Sequence, residues 1–247
     1  MKKLLAILLT LTLLFAIVAC NKTEEPKFDA SAKSEGVMTY AEYAAAELDT
    51  PVVIEAYVQA TQSWWNNQIT IYAQDPDGAY FIYNAACSQE DAAKLVPGTK
   101  IKVTGHKGAW AGEVEVMDAT LEIVTDGTWV AEATDVTALL GTDTLIDNQN
   151  KKVAFKGLTV EASNDAGAAF LYGWDGSGSE GTDSDLYFKA SIGGNTYTFV
   201  IEYYLTGADS DAYKAVQGLK VGDTIDLEGF LYWYEGSQPH ITTVTVK

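Results

Sequence analysis

The run Leu95-Val96-Pro97-Gly98-Thr99-Lys100-Ile101-Lys102-Val103-Thr104-Gly105 holds a helix end, a chain reversal and a strand in eleven residues. Ser88 to Val96 has helical spacing and Pro97-Gly98 stops it, because proline cannot continue a helix and glycine takes the turn. Beyond it Thr99 to Thr104 alternates, as a strand with one buried face must. The same signature returns further along the chain with no gap. Leu95, Gly98, Ile101, Val103, Gly105, Trp110 and Gly112 match Leu219, Gly222, Ile225, Leu227, Gly229, Tyr234 and Gly236 at one constant offset. Seven positions in step indicate an internal duplication.

Working outward, each copy acquires the same order of elements. Met38 to Leu48 reads as a short helix, with Thr39 and Glu42 placed for a capping box. Val52 to Ala60, Gln68 to Ala73 and Ala79 to Tyr83 read as strands, the last two joined by the turn Asp75-Pro76-Asp77-Gly78. The helix and Thr99 to Thr104 follow, then a strand over Val114 to Val124. In the second copy Lys152 to Glu161 is a strand, and Leu186 to Ser191 with Thr196 to Tyr203 forms a hairpin across Gly193-Gly194-Asn195. A helix over Asp209 to Gln217 precedes strands at Thr224 to Trp233 and His240 to Val246.

Three strands, a helix and two strands is the order of the five-stranded Greek-key barrel known as the OB-fold. The Leu95 to Gly105 spacing resembles the helix-to-fourth-strand junction of bacterial OB domains found in envelope lipoproteins and beside some secreted nucleases. The resemblance implies a mostly β chain of two tandem OB-like barrels, over 37–126 and 127–247, each with a short helix between its third and fourth strands. A small β-sandwich is the alternative architecture. In the resemblance Leu95 plugs the barrel end, Gly98 permits the tight exit and Gly105 bends the strand.

The N-terminus has a separate signature. Lys2 and Lys3 precede an apolar run from Leu4 to Ile17, and Ile17-Val18-Ala19-Cys20 leads into polar residues. A basic start, a short apolar run and small residues before a cut mark a secretory signal. The segment resembles the lipobox of bacterial lipoproteins, in which the cysteine is acylated and becomes the new N-terminus. The expectation is a signal peptide over 1–19, lipid on Cys20 and a flexible tether to about residue 36, anchoring the chain at a bacterial membrane surface. Cys87 is the only other cysteine. It is expected to be a buried free thiol rather than a nucleophile.

Composition limits the partners. The formal charge of −18 becomes −20 once Lys2 and Lys3 are removed, and every basic residue is lysine. Without arginine the chain lacks the planar fork that grips phosphate in pairs, and acidic charge opposes polyanions. Lys94, Lys100, Lys102 and Lys107 nevertheless lie close in sequence and form a candidate basic edge.

OB-folds bind across strands 2 and 3, flanked by the loops joining strands 1 to 2 and 4 to 5. Those places hold Trp64 and Trp65, Tyr72, Tyr80 or Phe81, and Trp110 in the first copy. In the second they hold Tyr172 and Trp174, then Tyr232, Trp233 and Tyr234. Aromatic faces support sugars, peptide side chains or bases, so the leading expectation is a non-catalytic protein binding a glycan, peptide or protein. Single-stranded nucleic acid is the alternative, and an accessory subunit of an envelope enzyme the third. His106 and His240 occupy unequal places in the repeat, no His/Cys metal cluster is present, and no cofactor or metal is implied. The acidic loop Asp175 to Asp185 lacks EF-hand spacing and reads as solvated, with calcium the competing possibility.

Overall fold

The computed structural model describes residues 28–247. The lipobox and Cys20 lie outside those residues. Helix α1 (Tyr40–Ala45) leads into β1 (Pro51–Thr61), β2 (Gln68–Gln74) and β3 (Ala79–Ala86), then α2 (Gln89–Ala92), β4 (Thr99–Trp110) and β5 (Glu113–Thr128). These five strands close a barrel in the order β1-β2-β3-β5-β4, with β4 returning to β1 and only β3 and β5 running parallel.

The second copy repeats this topology. It comprises β6 (Thr134–Asp135), β7 (Lys152–Glu161), β8 (Phe170–Tyr172), β9 (Leu186–Ile192), β10 (Asn195–Ile201), α3 (Tyr203–Thr206), α4 (Asp211–Gln217), β11 (Thr224–Phe230) and β12 (His240–Val246). Strands β7, β9, β10, β12 and β11 form the ring, closed by β7–β9 pairing, with β10 and β12 parallel. Short β6 and β8 are added beside β7 and β9. The chain is therefore mostly β, built from two five-stranded OB-like barrels, each with a short helix between its third and fourth strands.

The duplicated motif does the same work twice. Leu95 and Leu219 are buried in their respective cores. Gly98 and Gly222 both adopt positive φ (92° and 96°), and each donates its N–H to a carbonyl of the first strand, Val58 and Val160, at 2.8 Å. Glycine reaches that backbone region without the steric cost other residues meet. Gly105 and Gly229 answer a different demand. A Cβ there would stand 2.6 Å from the Met117 carbonyl oxygen and 2.1 Å from that of His240, so a side chain would separate the fourth and fifth strands.

Each barrel has its own apolar centre. The first packs Ile54, Ile71, Ile82, Ile101 and Val103; the second packs Phe155, Phe188, Phe199, Leu227 and Ile241. Helix α1 has the expected capping box, with Thr39 accepting from the Glu42 N–H at 3.2 Å and Glu42 accepting from the Thr39 N–H at 2.8 Å. Residues before it are docked rather than free of the fold: the Lys33 ammonium reaches Asp75 and the Glu55 carbonyl, and the Phe28 ring meets Tyr57 edge-on at 6.2 Å.

The expected basic edge does not form. The Lys100 ammonium is buried against Glu55 (3.2 Å) and Asp126 (3.0 Å). Lys107 donates to the carbonyls of Tyr43, Ala44 and Ala46 at 2.8–3.1 Å, satisfying orphan groups at the end of α1. Lys94 pairs with Glu90 and Asp91, while Lys102 is flanked in register by Glu55 and Glu122. Three of the four lysines are thus engaged by the fold itself, and the fourth lies between two acids.

Candidate functional site

Alternation along β2, β3 and β5 sends one set of side chains into the first barrel and the other set outward. Ile71, Tyr80, Ile82 and Val116 point in, whereas Tyr72, Phe81 and Glu115 take the opposite parity. This outward face is where an OB-fold ordinarily holds its ligand, but here the second barrel covers much of it. Tyr72 is fully buried, stacked on Phe230 with ring centres 4.4 Å apart, and its hydroxyl lies 2.7 Å from His240 Nδ1. Phe81 meets Tyr232 edge-on at 5.2 Å, and Tyr232 stacks on His240 at 4.3 Å. Tyr72 is therefore packing between barrels, contrary to its expected role as a ligand platform.

Polar contacts complete the seam. Glu113 accepts from the Trp233 N–H at 2.8 Å and the Gln149 amide at 3.2 Å. Asn150 donates to the Val114 carbonyl at 3.0 Å, and Glu235 N–H donates to the Ala111 carbonyl at 2.7 Å. At the other end Ser63 N–H donates to Tyr204 and the Gln62 amide donates to Glu202. Burial pushes Glu113 up to about 8, only partly opposed by its hydrogen bonds. Glu115 is also raised by burial.

Beside this seam the two barrels leave a cavity of about 440 Å³, walled by Gln62, Phe81, Tyr83, Trp110, Glu115 and Met117 of the first barrel and by Glu202, Tyr232 and His240 of the second. Its volume falls within the range of small-molecule sites. An adjoining hollow of about 360 Å³ shares Gln62 and carries Trp65, Asn84 and Tyr204. Trp65 and Trp110 are largely solvent-exposed (75% and 61%), and Tyr83 and Tyr204 are about half exposed. The two hollows meet at Gln62 as one groove, with Tyr83 and Trp110 in the first and Trp65 and Tyr204 in the second.

The other sequence candidates divide by environment. Trp65, Trp110, Phe81 and Tyr232 line the groove. Trp64 faces the core of the first barrel, with its indole N–H on the Cys87 carbonyl at 2.9 Å. Trp233 is partly buried and lies against Gly112 of the facing hairpin. Tyr234 and Trp174 are exposed but line neither hollow, Trp174 standing in the loop before Asp175. Cys87 is a buried free thiol whose ionisation burial opposes. The Asp175 carboxylate turns back onto the Ser177 N–H at 3.0 Å, and among the described residues no cluster of three metal-ligating side chains forms.

Tyr83, Glu115, Met117, Glu202 and Tyr204 were not among the sequence candidates, and His240 was set aside as unmatched in the repeat. Strand parity carries a signal for three of them: Tyr83 shares a face with Phe81, as Met117 does with Glu115 and Glu113. Glu202 falls inside the strand expected over Thr196 to Tyr203, and Tyr204 just past its end. The chain instead turns into α3, because Tyr203 N–H is taken by the distant Asp185 carboxylate at 2.7 Å.

No known protein family matches the sequence, and no curated protein does. Among solved structures, the Ifi202 HINa domain in complex with 20-bp double-stranded DNA is similar at 11% identity and TM-score 0.34, covering 81% of this chain and 96% of that one. A murine DNA-binding protein bound to double-stranded DNA is similar at 12% identity and TM-score 0.32, over 80% of this chain and 94% of its own. Similarity this low leaves the description of the fold to the strand order itself.

Proposed function

We propose that the chain is a lipid-anchored, non-catalytic binding or scaffolding protein of the bacterial cell envelope, which takes a glycan, peptide or protein ligand in the groove beside the barrel seam. The observation that carries the reading is the groove's exposed rings, Trp65, Tyr83 and Trp110, set at the ligand face of an OB-like barrel. Solvent-exposed indoles cost nothing to core packing when truncated, so their place at a groove is best accounted for by a ligand. The chain purified from expressing cells, applied to glycan and peptide arrays, is expected to select a ligand whose signal falls in Trp110→Ala. An array without binders, or binding indifferent to that substitution, counts against the reading.

Anchoring rests on Cys20 and the segment before it. Cells supplied with labelled palmitate should label the parent chain and not Cys20→Ser, with the variant leaving the membrane fraction. Equal labelling of both would remove the anchor.

Single-stranded nucleic acid remains the second reading, favoured by the same exposed rings, since bases stack on indoles at ~1–3 kcal/mol each. It predicts oligonucleotide binding that weakens steeply with salt. The acids in the groove and the engaged lysines oppose it.

A further inference from the structure

The cavity at the seam combines two kinds of wall that seldom occur together without a purpose. Phe81, Tyr83, Trp110 and Tyr232 supply ring faces and edges, and Glu115 and Glu202 supply carboxylates; neither lysine nor arginine lines it. Glu115 is only 5% exposed, yet its side chain has no hydrogen bond or ion pair with any described residue. Its register neighbours are Phe81 on β3 and Gly108 on β4, neither of which can answer a charge. Gly108 gives Met117 its place in the wall: a Cβ there would strike the Met117 sulfur at 2.1 Å, so the thioether lies across the position a side chain would fill.

We propose that this cavity is a site for an organic cation, a protonated or quaternary amine, held against the rings of Tyr83, Trp110 and Tyr232 with Glu115 as its counter-charge. The inference rests on the binding reading above and names the chemistry of the ligand. The Glu115 carboxylate meets only the water of a half-enclosed cavity, so it is incompletely solvated, and a cation beside it offsets that cost. Aromatic faces attract the same charge through their quadrupoles, most strongly where water is excluded. A neutral sugar would stack on the rings but leave Glu115 without a counter-charge, and an anion would be repelled by both acids. Burial that raises the Glu115 carboxyl is what an approaching cation reverses. Glu202 accepts from Gln62 through one oxygen and holds the other 3.1 Å from His240 Nδ1, so it is engaged within the wall and Glu115 is the acid left facing the cavity. The volume of about 440 Å³ suits a small amine or the end of one lysine side chain.

The test is titration of the full chain by calorimetry and tryptophan fluorescence with choline, cadaverine and the tripeptide Ala-Lys-Ala. Cellobiose and oligothymidylate serve as the neutral and anionic probes. An amine is expected to bind most tightly; choline or cadaverine ahead of the peptide assigns a free amine, and the reverse order a peptide side chain. Glu115→Gln, which keeps shape and removes charge, should weaken binding roughly tenfold or more. Trp110→Ala should weaken it roughly 2- to 30-fold. Trp110→Phe should keep most of the affinity while losing the fluorescence change. Cellobiose or oligothymidylate binding more tightly than every amine, or Glu115→Gln leaving amine binding intact, overturns the proposal. If no amine binds but an array ligand still depends on Trp110, the cation site falls and the broader binding reading survives; if neither binds, both fall.

Discussion

Glu113 sits where the first barrel's final hairpin meets the second barrel, fully buried, with one carboxylate oxygen on Trp233 and Gln149 and the other without a partner among the described residues. Burial raises it from an ordinary 4.5 to about 8. Between those values the folded chain holds a proton that the unfolded chain has released, so stability falls as pH rises through that window and is level above it. The loss is on the order of a few kcal/mol, and Glu115 and Asp185, also raised by burial, add slope of the same sign. Glu113→Gln should flatten the melting-temperature profile across that window and melt higher than the parent at its alkaline end; parallel profiles would refute the assignment. Lys100 makes the opposite kind of prediction. Burial lowers its affinity for a proton, but the bonds to Asp126 and Glu55 outweigh this and raise it. Lys100→Met strands the Glu55 carboxylate in the interior and should cost about 3–5 kcal/mol by urea denaturation. A loss below about 1 kcal/mol would mean the pair is screened like a surface bridge.

At the scale of elements, the duplicated glycines set the spacing between the last two strands of each barrel. Gly229→Ala places a methyl 2.1 Å from the His240 carbonyl oxygen, and Gly105→Ala one 2.6 Å from that of Met117. Backbone must move in both, so each should cost about 1–3 kcal/mol, with Gly229→Ala the larger; urea midpoints that do not shift would show the strands have slack. These elements were legible because local signals agree with the fold: strand parity, the capped α1 and the Pro97-Gly98 stop all act within a few residues. What was not legible depends on distant partners. Short β6 and β8 and the 3-10 turns over 137–148 carry little periodicity of their own, and α3 is set by Asp185. The candidate site divides the same way. Loop position was enough to find Trp65 and Trp110, but nothing local to Tyr72 reveals that Phe230 stacks on it. Lys100 and Lys107 failed for the same reason, since their acids and carbonyls come from other elements, whereas the acids that hold Lys94 lie only three and four residues before it.

For the molecule as a whole, the seam joins the two barrels through both apolar and polar contacts. Tyr72, Phe81 and Phe230 form an apolar cluster between the two larger cores. Around it run the Asn150, Glu235 and Ser63 hydrogen bonds and the Lys152 N–H bond to the Gln74 amide oxygen at 2.9 Å. Backbone groups satisfied across the seam would lose their partners if one barrel opened alone, and each buried loss costs about 1–3 kcal/mol. The parent should therefore melt in one calorimetric transition whose van't Hoff and calorimetric enthalpies agree. Phe230→Ala empties the space against Tyr72 and should cost about 3–5 kcal/mol. Because the same seam holds Tyr232 and His240 in the wall of the cavity proposed as the ligand site, that variant should also lose affinity for a ligand bound there without touching an exposed ring. Tyr72→Phe keeps the stack and removes only the hydroxyl beside His240, so it should cost about 1 kcal/mol and leave the single transition intact. Two resolved transitions in the parent would mean that the barrels are only tethered, and the cavity between them would then not be a fixed site.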